Sequence, residues 1–350
     1  MMRVAVLGLN HGYTFASQMV QSDRVKLVAV AGNDEQSIQR ANELGVPIYS
    51  DYKQLLQTNH LDGAILTLPN QLHLEAVEAC AKLGIHVLVE KPIAPTIEEG
   101  RAMIDLCKSH HVHLLVGHHR RLAENVLEMR RLIQDGAIGE LVAVTMTCAL
   151  CKDKAYFNES WRIEKGGGPL LINSIHDIDT LRFVTGQEVT NVYAASRNRI
   201  RGNQVEDSAS ILLELEDGAT VTYFITDGIP APWAYDLNLN ENDRFYHHEA
   251  DCYAFFGTKG SISFPSMEHY SYSDDAYGWA HPLQKQTHSV EKNDPFFAEW
   301  NHFLDVIENE VQPIITGEDA LATLEVLLTI QQSAALKQTI ALKNKTYVQE

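Results

Sequence analysis

Residues 3–13 read Arg-Val-Ala-Val-Leu-Gly-Leu-Asn-His-Gly-Tyr, and the architecture of the chain can be built outward from this segment. The apolar, β-branched run at residues 3–7 is typical of a buried strand. A polar turn with two glycines follows it, and a helical pattern then covers residues 11–21. A strand, a glycine turn and a helix in this order favour a dinucleotide pyrophosphate site, because free backbone N–H groups at a helix start bind phosphate.

The glycine turn matches the Gly-x-Gly-x-x-Gly pattern incompletely. In a frame that starts at Gly8, Asn10 stands at the second glycine position and Tyr13 at the third. Asn tolerates a positive φ better than most residues, which makes Asn10 an acceptable replacement. The turn alone leaves two interpretations open, a cofactor loop or an ordinary strand-to-helix turn. The candidate cofactor residues of this segment are Gly8, Asn10, His11, Gly12 and Tyr13.

An acidic residue that binds the adenosine ribose is expected where the second strand ends. The candidates are Asn33 and Asp34, although Asp34 lies later than the usual spacing of about 20 residues from the first glycine. Either side chain could instead cap the helix that follows. Gly32 leaves space for a 2′-phosphate, and no basic residue follows before Arg40. The sequence therefore does not separate NAD from NADP.

The first 120 residues alternate short apolar runs with amphipathic segments. We predict strands at residues 3–7, 26–31, 62–68, 86–90 and 113–117, and helices at 11–21, 35–44, 71–83 and 97–109. This alternation predicts an α/β arrangement, with a parallel sheet covered by helices on both faces.

After residue 120 the pattern changes to longer strands joined by tight turns. We predict strands at residues 140–149, 190–196, 209–215, 219–225, 252–256 and 261–264, helices at 122–134, 296–308 and 320–336, and a long loop at 270–294. Asp217-Gly218 between two of these strands is a strong hairpin signal. This half is therefore predicted to hold an open, mostly antiparallel sheet.

Composition narrows the classes of function. A chain of 350 residues is long enough for two domains, and its formal net charge of −18 argues against nucleic acid and membrane surfaces as partners. No apolar run approaches the roughly 20 residues of a spanning helix. The N-terminal segment does not read as a signal peptide, and five cysteines without an export signal fit a reducing cytoplasm.

Two segments carry residues that are capable of catalysis. Glu90-Lys91-Pro92 follows a predicted parallel strand, at the sheet edge where α/β proteins bind ligands. Three glycines at residues 166–168 precede a helical segment in which Asn173 and His176 share one face. Each segment has a plainer interpretation, since a Lys-Pro pair is commonly a surface turn and His176 could be a core histidine.

Taken together, the two segments resemble the Gfo/Idh/MocA oxidoreductases, named for glucose-fructose oxidoreductase and inositol dehydrogenase. Further matches in the same order are Thr67-Leu68-Pro69-Asn70-Gln71-Leu72-His73, Gly117-His118-His119-Arg120-Arg121, Trp161-Arg162 and Val205-Glu206-Asp207. The resemblance covers nearly the whole chain. It implies a Rossmann NAD(P)-binding domain over residues 1–120 and an α+β substrate-binding domain over residues 121–350. It also implies a homodimer or homotetramer built through the C-terminal sheet.

The resemblance assigns roles to individual residues. Lys91 is expected to hydrogen-bond the substrate hydroxyl and stabilise the developing alkoxide, and His176 to act as the general base. The cofactor, NAD or NADP, is expected to exchange a hydride with a carbinol of a sugar, cyclic polyol or sugar acid. Further cofactor contacts are expected from Leu68, Pro69, Asn70, His73, Glu90, Trp161 and Arg162, and substrate contacts from His119, Arg120 and Asn173.

One position departs from the family pattern. Polyol-oxidising relatives often carry an Asp four residues before the catalytic histidine, where it relays a proton, and here that residue is Ile172. Asn173 can orient a hydroxyl but does not titrate. Arg120 or Arg121 could instead select a carboxylated substrate, in which case Arg120→Ala should raise KM.

Two other classes of function stay open beside the dehydrogenase. One is a glycosidase or lyase-type sugar enzyme that uses NAD transiently, and the other is a non-catalytic regulator that binds the cofactor. A metal site is not expected, because adjacent histidines on a strand or helix point in different directions. Cys148 and Cys151 lack the second ligand pair that zinc requires.

Overall fold

The computed structural model describes residues 1–164, 166–242, 244–273, 275–309 and 311–342. The chain divides into two compact units. The first contains residues 1–123 and 293–324, and the second contains residues 124–292 together with the described residues from 325 onward.

The N-terminal part of the first unit alternates strands and helices. Its strands are β1 (Met2–Leu7), β2 (Val25–Ala31), β3 (Ile48–Tyr49), β4 (Gly63–Leu66), β5 (His86–Glu90) and β6 (Leu114–Gly117). Its helices are α1 (Tyr13–Met19), α2 (Glu35–Leu44), α3 (Tyr52–Thr58), α4 (His73–Lys82) and α5 (Ile97–Ser109), with short 3₁₀ turns at Asn70–Leu72 and His119–Leu122.

These six strands of the described chain form one sheet in the order β3-β2-β1-β4-β5-β6, and every neighbouring pair is parallel. This is the strand order of a Rossmann fold, in which ligands bind beyond the carboxyl ends of β1 and β4. Residues 4–7 of β1 and all of β4 are buried, as expected for strands covered on both faces. The predicted parallel α/β sheet is confirmed.

The second unit begins with α6 (Glu124–Gln134). Its strands are β7 (Leu141–Cys151), β8 (Val189–Arg197), β9 (Ser208–Leu215), β10 (Thr220–Thr226), β11 (Gly228–Trp233), β12 (Tyr253–Gly257), β13 (Gly260–Phe264), β14 (Glu268–Ser271) and β15 (Gln284–Thr287). Its helices are α7 (Pro169–Ile172), α8 (Ser174–Thr185) and α9 (Tyr235–Asn238), with 3₁₀ turns at Ala155–Asn158 and Ser160–Arg162. The chain continues with α10 (Pro295–Asn309), α11 (Gly317–Leu336) and β16 (Ile340–Ala341).

The second sheet runs β15-β14-β13-β12-β7-β10-β9-β8-β16, and β11 pairs with β7. Among the described strands, β7 and β10 are parallel and the other neighbours are antiparallel. The predicted open, mostly antiparallel sheet is confirmed. The hairpin expected at Asp217-Gly218 joins β9 to β10, and Gly218 has a φ of 88°, which a glycine adopts without strain.

The structure differs from the expected organisation at α10. The sequence placed every residue after 120 in the second domain, whereas residues 293–324 belong to the first unit. The physical reason is burial, because α10 places Trp300, Phe303 and Leu304 in the core that also contains Val4 and Ile65 of the Rossmann sheet. Trp300 also donates its indole N–H to Gln18 Oε1 at 2.9 Å.

Two local predictions were wrong in detail. The helix expected at residues 71–83 begins with a 3₁₀ turn and is regular only over His73–Lys82. The loop expected at residues 270–294 contains β15, whose four residues Gln284–Thr287 are all exposed. An edge strand of polar residues has no alternation of apolar and polar side chains, so its sequence does not distinguish it from a loop.

Candidate active site

The glycine loop closes so tightly on β1 and β4 that two positions exclude a side chain. Gly8 has a φ of 94°, and a Cβ there would lie 2.6 Å from the carbonyl oxygen of Thr67. A Cβ on Gly12 would lie 2.2 Å from the carbonyl oxygen of Gly8. Gly12 therefore does the close helix-to-strand packing that the motif assigns to a third glycine, one residue before Tyr13. The bare backbone at these positions fits a dinucleotide pyrophosphate.

Arg40 braces the same loop. Its Nη1 donates to the carbonyl oxygens of Leu9 and Asn10, each at 2.9 Å. Its guanidinium lies 5.0 Å from the ring centroid of Tyr13. The loop is thereby held from the side of α2, and Asn10 itself remains exposed.

Asp34 caps the N-terminus of α2, which is the simpler alternative to a contact with the cofactor ribose. Its Oδ1 accepts from the backbone N–H of Ser37 and its Oδ2 from the Ser37 hydroxyl, each at 2.8 Å. These hydrogen bonds lower the pKa of the Asp34 carboxyl, which keeps it ionised. Asn33 and Asp34 are both exposed. A contact of Asn33 or Asp34 with the cofactor ribose stays a prediction.

At the end of β5, the Glu90 carboxylate is held between two groups. Its Oε1 lies 3.1 Å from His11 Nε2, and its Oε2 accepts from the backbone N–H of Lys91 at 3.1 Å. Burial alone would raise the pKa of Glu90, but the charges of His11 and Lys91 outweigh burial and lower it. Burial likewise opposes the protonation of His11, and Glu90 outweighs it and raises the pKa of His11. Beside Lys91, His11 and Glu90 therefore each favour the charged form of the other.

An aromatic stack adjoins this pair. The His119 ring stacks on Phe296 with centroids 4.2 Å apart, and His11 meets Phe296 edge to face at 5.6 Å. Burial and the neighbouring charge of Arg120 hold the pKa of His119 well below its usual value, so its ring is neutral near pH 7. Phe296 lies on α10, and no sequence pattern indicates its role because its partners His11 and His119 lie far away along the chain.

His73 has a supporting position in the structure. It is 0% exposed, with Nδ1 3.1 Å from the Ile93 carbonyl oxygen and Nε2 3.0 Å from that of Leu68. Burial lowers the pKa of His73. The ring joins the loop after β4 to the loop after Pro92, so the predicted direct cofactor contact gains no support from its position. Leu68, Pro69 and Asn70 lie in the first of these loops and are at least partly exposed.

The contacts of Arg121 argue against its proposed role in selecting a carboxylated substrate. Arg121 forms an ion pair with Asp319 within the first unit, and its side chain is buried. A guanidinium that neutralises a protein carboxylate is poorly suited to bind a substrate carboxylate. Arg120 lies one residue earlier and is also buried. Substrate selection by Arg120 stays a prediction.

In the second unit, His176 lies in the first turn of α8 beside a firmly anchored residue. Asp177 accepts from the hydroxyls of Tyr223 and Tyr253, each at 2.5 Å. Burial, together with Asp177, raises the pKa of Tyr223 well above its usual value, which keeps this hydroxyl a donor. The backbone N–H of His176 donates to the carbonyl oxygen of Asn173 at 3.2 Å. The helix start that carries His176 is therefore fixed by buried contacts.

Asn173 is held by a lysine that the sequence analysis missed. Lys152 Nζ donates to Asn173 Oδ1 at 2.8 Å and lies 3.3 Å from Asp227 Oδ2. Lys152 follows β7, whereas Asn173 lies between α7 and α8. Their separation of 21 positions exceeds the range of any helix or turn periodicity, so the sequence pattern has no signal for the pair.

Trp161 and Arg162 form part of an aromatic and cationic cluster. Arg162 lies 4.0 Å from the ring centroid of Tyr156 and 5.1 Å from that of Trp161, and its Nη1 donates to the Tyr156 carbonyl oxygen at 2.8 Å. The Trp161 side chain is 51% exposed. A Cβ on Gly167 would lie 2.3 Å from the Trp161 carbonyl oxygen, so this glycine permits the close approach.

Each unit thus collects its own share of the predicted site residues. The first brings together the glycine loop, Glu90, Lys91 and His119, and the second brings together His176, Asn173 and the Trp161-Arg162 pair. The described residues contain no group of three or more His, Cys, Asp or Glu side chains that could hold a metal ion. Within the same residues, no helix is both long and apolar enough to span a membrane.

Two family models match this chain in succession. Residues 2–118 match the NAD-binding Rossmann domain of the GFO_IDH_MocA oxidoreductase family, and residues 126–263 match a GFO/IDH/MocA C-terminal domain. The chain belongs to the GFO/IDH/MocA oxidoreductase family. The resemblance inferred from its motifs is confirmed.

Individual members of the GFO/IDH/MocA family align over nearly the whole chain. The scyllo-inositol 2-dehydrogenase (NAD(+)) of Bacillus subtilis is 28% identical over 93% of this chain and 91% of its own length. The myo-inositol 2-dehydrogenase of Thermotoga maritima is 25% identical over 98% of this chain and 99% of its own length. The fold matches that of scyllo-inositol dehydrogenase from Lactobacillus casei, solved with NAD(H) and scyllo-inositol, with a TM-score of 0.78 at 21% identity over 97% and 99% of the two chains.

The family assignment bears on enzyme class and cofactor. It confirms the predicted oxidoreductase class and the predicted dinucleotide cofactor. Gly8 and Gly12 fit that cofactor. A Cβ at either position would collide with a backbone carbonyl oxygen and displace the loop that is expected to bind the pyrophosphate.

Proposed function

We propose that this protein transfers a hydride between a nicotinamide dinucleotide and a carbinol of a sugar, cyclic polyol or sugar acid. Lys91 carries this proposal, because it follows β5 at the carboxyl edge of the parallel sheet, next to the ionised Glu90. The similarity to inositol dehydrogenases supports the substrate class. The cytoplasmic location and the small-molecule partner belong to the same proposal.

The dinucleotide supplies the hydride chemistry when it is bound, and the chain's own residues do the rest. The glycine loop binds the pyrophosphate through its backbone N–H groups, while Asn33, Asp34, Leu68, Pro69 and Asn70 contribute further contacts. Glu90 stays ionised and fixes the segment that leads into Lys91. Trp161 and Arg162 present a flat aromatic and cationic surface to the cofactor.

Lys91 and His176 handle the proton of the substrate hydroxyl in this proposal. The Lys91 ammonium donates to the carbinol oxygen and stabilises the alkoxide character that develops when the hydride leaves. His176 accepts the proton, which suits an imidazole near neutral pH. His119, Arg120 and Asn173 orient the other oxygens of the substrate.

The proposed assembly is a homodimer or homotetramer that uses the outer face of the second sheet. Tyr193, Leu212, Phe224 and Phe256 lie on this face and are each more than a third exposed. The strand register places Tyr193 opposite Leu212, and Leu212 opposite Thr222 two residues from Phe224. Large apolar side chains exposed on one face of a sheet favour association.

A substrate panel tests the proposed function. The purified protein is mixed with NAD or NADP and with scyllo-inositol, myo-inositol, D-glucose, D-gluconate or D-glucuronate, and the absorbance of the reduced cofactor is followed. Accumulation of reduced cofactor with at least one compound supports a dehydrogenase. Cofactor binding without net reduction for the whole panel contradicts it, and release of an aglycone from a glycoside under those conditions identifies the transient-oxidation enzyme instead.

A further inference from the structure

The contacts of Lys152 are unusual for a lysine. Its side chain is only 11% exposed, although lysines are almost never deeply buried unless they are paired. Its Nζ donates to Asn173 Oδ1 at 2.8 Å, lies 3.3 Å from Asp227 Oδ2 and lies 4.6 Å from the ring centroid of Tyr156. Three groups from three segments thus hold one ammonium in place.

The carboxylate of this cluster is shared between two cations. Asp227 is 2% exposed and pairs through Oδ1 with Arg201, which also donates to the Asp227 carbonyl oxygen at 3.2 Å. One buried carboxylate therefore faces both Lys152 and Arg201. The Lys152 ammonium has three N–H donors, so it can contact both this carboxylate and the amide oxygen of Asn173.

The contact with Lys152 determines which end of the Asn173 amide is free. A lysine ammonium is a donor and never an acceptor, so the amide oxygen must face Lys152. The Nδ2 group then points the other way, and no acceptor in the described part of the chain takes a hydrogen bond from it. Asn173 lies three residues before His176, and its backbone carbonyl oxygen accepts a hydrogen bond from the backbone N–H of His176. The fixed amide and the catalytic histidine thus begin the same helix.

We propose that Lys152 is a positioning residue that locks the Asn173 amide with its Nδ2 donors toward the substrate, so that the site selects an accepting oxygen there. This inference rests on the proposed function. The inference also bears on the replacement of an Asp by Ile172. An Asp at position 172 would accept a hydrogen bond from a substrate hydroxyl, whereas the locked amide of Asn173 donates one. A carboxylate or carbonyl oxygen beside the reacting carbinol accepts such a bond best, so sugar acids are favoured over neutral polyols.

A purely structural role for Lys152 makes different predictions. As a staple between the end of β7 and the junction of α7 with α8, it would affect folding and all kinetic constants together. As a positioning residue it affects substrate binding through Asn173 alone. A double-mutant cycle separates the two roles, because mutations that act through one contact are not additive.

The test compares Lys152→Met, Asn173→Ala and the double variant, using the panel compound with the highest kcat/KM. We expect each single variant to raise KM about tenfold, the loss typical of a hydrogen bond in a binding site. The double variant should be within about twofold of Asn173→Ala alone, and the NADH dissociation constant should stay within about twofold of wild type. Lys285→Met is the matched control, because Lys285 pairs with Glu268 and lies 5.8 Å from the Tyr270 ring centroid in the same unit.

Asn173→Asp keeps the inference falsifiable if Lys152→Met does not fold. This variant keeps an oxygen for Lys152 but replaces the Nδ2 donor by an acceptor, so KM should rise as much as in Asn173→Ala. An unchanged KM in Asn173→Asp overturns the inference, as do multiplicative effects of Lys152→Met and Asn173→Ala. Absence of turnover by the wild type with every compound contradicts the proposed function, and the inference falls with it. Turnover by the wild type with unchanged KM in both single variants overturns the inference alone.

Discussion

His11 Nε2 lies 3.1 Å from Glu90 Oε1, and this ion pair joins the glycine loop to the end of the strand that precedes Lys91. The pair makes stability depend on pH in a defined direction. Glu90 raises the pKa of His11 in the folded protein above its ordinary value of 6.5. A raised histidine pKa contributes stability that is present below the unfolded pKa and is lost as pH rises through the folded pKa.

Replacing His11 should therefore lower the stability of the protein most at acidic pH. We expect His11→Gln to lower Tm by several degrees at pH 6 and to have little effect at pH 9, as measured by thermal denaturation across this range. His110→Gln, at an exposed histidine that ends α5, is the control and should show no such trend. A Tm difference for His11→Gln that is independent of pH would contradict the pairing.

A pair of stacked histidines, His86 and His113, should make stability depend on pH in the opposite direction to the His11–Glu90 pair. The rings of His86 and His113 stack with centroids 5.0 Å apart, and the backbone N–H of His113 donates to His86 Nδ1 at 2.9 Å. Burial and the nearby His113 lower the pKa of His86, so the unfolded chain binds the proton more readily and stability falls as pH drops below about 6.5. His86→Asn, which keeps an acceptor that does not titrate, should lose less stability than wild type between pH 7 and pH 5. Urea denaturation at each pH measures the difference, and parallel losses in both proteins would refute the assignment.

The glycine loop provides a test of cofactor binding that is separate from catalysis. A Cβ on Gly12 would lie 2.2 Å from the Gly8 carbonyl oxygen, so Gly12→Ala must displace the loop. We expect the NADH dissociation constant to rise at least tenfold, measured by fluorescence titration. Gly84→Ala is the control, because Gly84 has a φ of 70° and nothing within 4 Å of an added Cβ. It should lower Tm through backbone strain and leave NADH affinity unchanged, and equal NADH affinities for both variants would count against the loop.

The association face of the second sheet is tested by charge. Leu212→Asp and Phe224→Asp each place a carboxylate on the exposed apolar face, which should break an oligomer into monomers without unfolding the chain. Light scattering coupled to size-exclusion chromatography gives the mass directly. Thr222→Asp would reproduce the effect, whereas Lys285→Asp on the edge strand β15 should leave the mass unchanged. An oligomer that persists in both Leu212→Asp and Phe224→Asp would place the interface elsewhere.

The elements that the sequence predicts most accurately carry their boundary signals within themselves. Helix α2 begins after Asp34, whose side chain caps it, and ends at Gly45, which has a φ of 67°. Strand β5 is predicted to the residue because its apolar run is bounded by the polar His86 and Glu90. Local chemistry sets such boundaries, so a single sequence is enough to find them.

Features that depend on distant partners could not be predicted in the same way. The pattern of α10 shows an apolar face, but nothing in it states that Trp300 packs in the Rossmann core. The stack of Phe296 on His119 and the hydrogen bond from Lys152 to Asn173 join residues that are far apart in sequence. The predicted site residues came from motifs, whereas the residues that position them came from tertiary packing.

The most direct test of the account is the turnover of Lys91→Met with the best panel substrate, measured beside its affinity for NADH. The account predicts that kcat falls by about a thousandfold or more, as loss of a group that stabilises the developing alkoxide requires, while the NADH dissociation constant stays within a few-fold of wild type. Turnover by Lys91→Met within tenfold of wild type would contradict the assignment of Lys91 and the mechanism built on it.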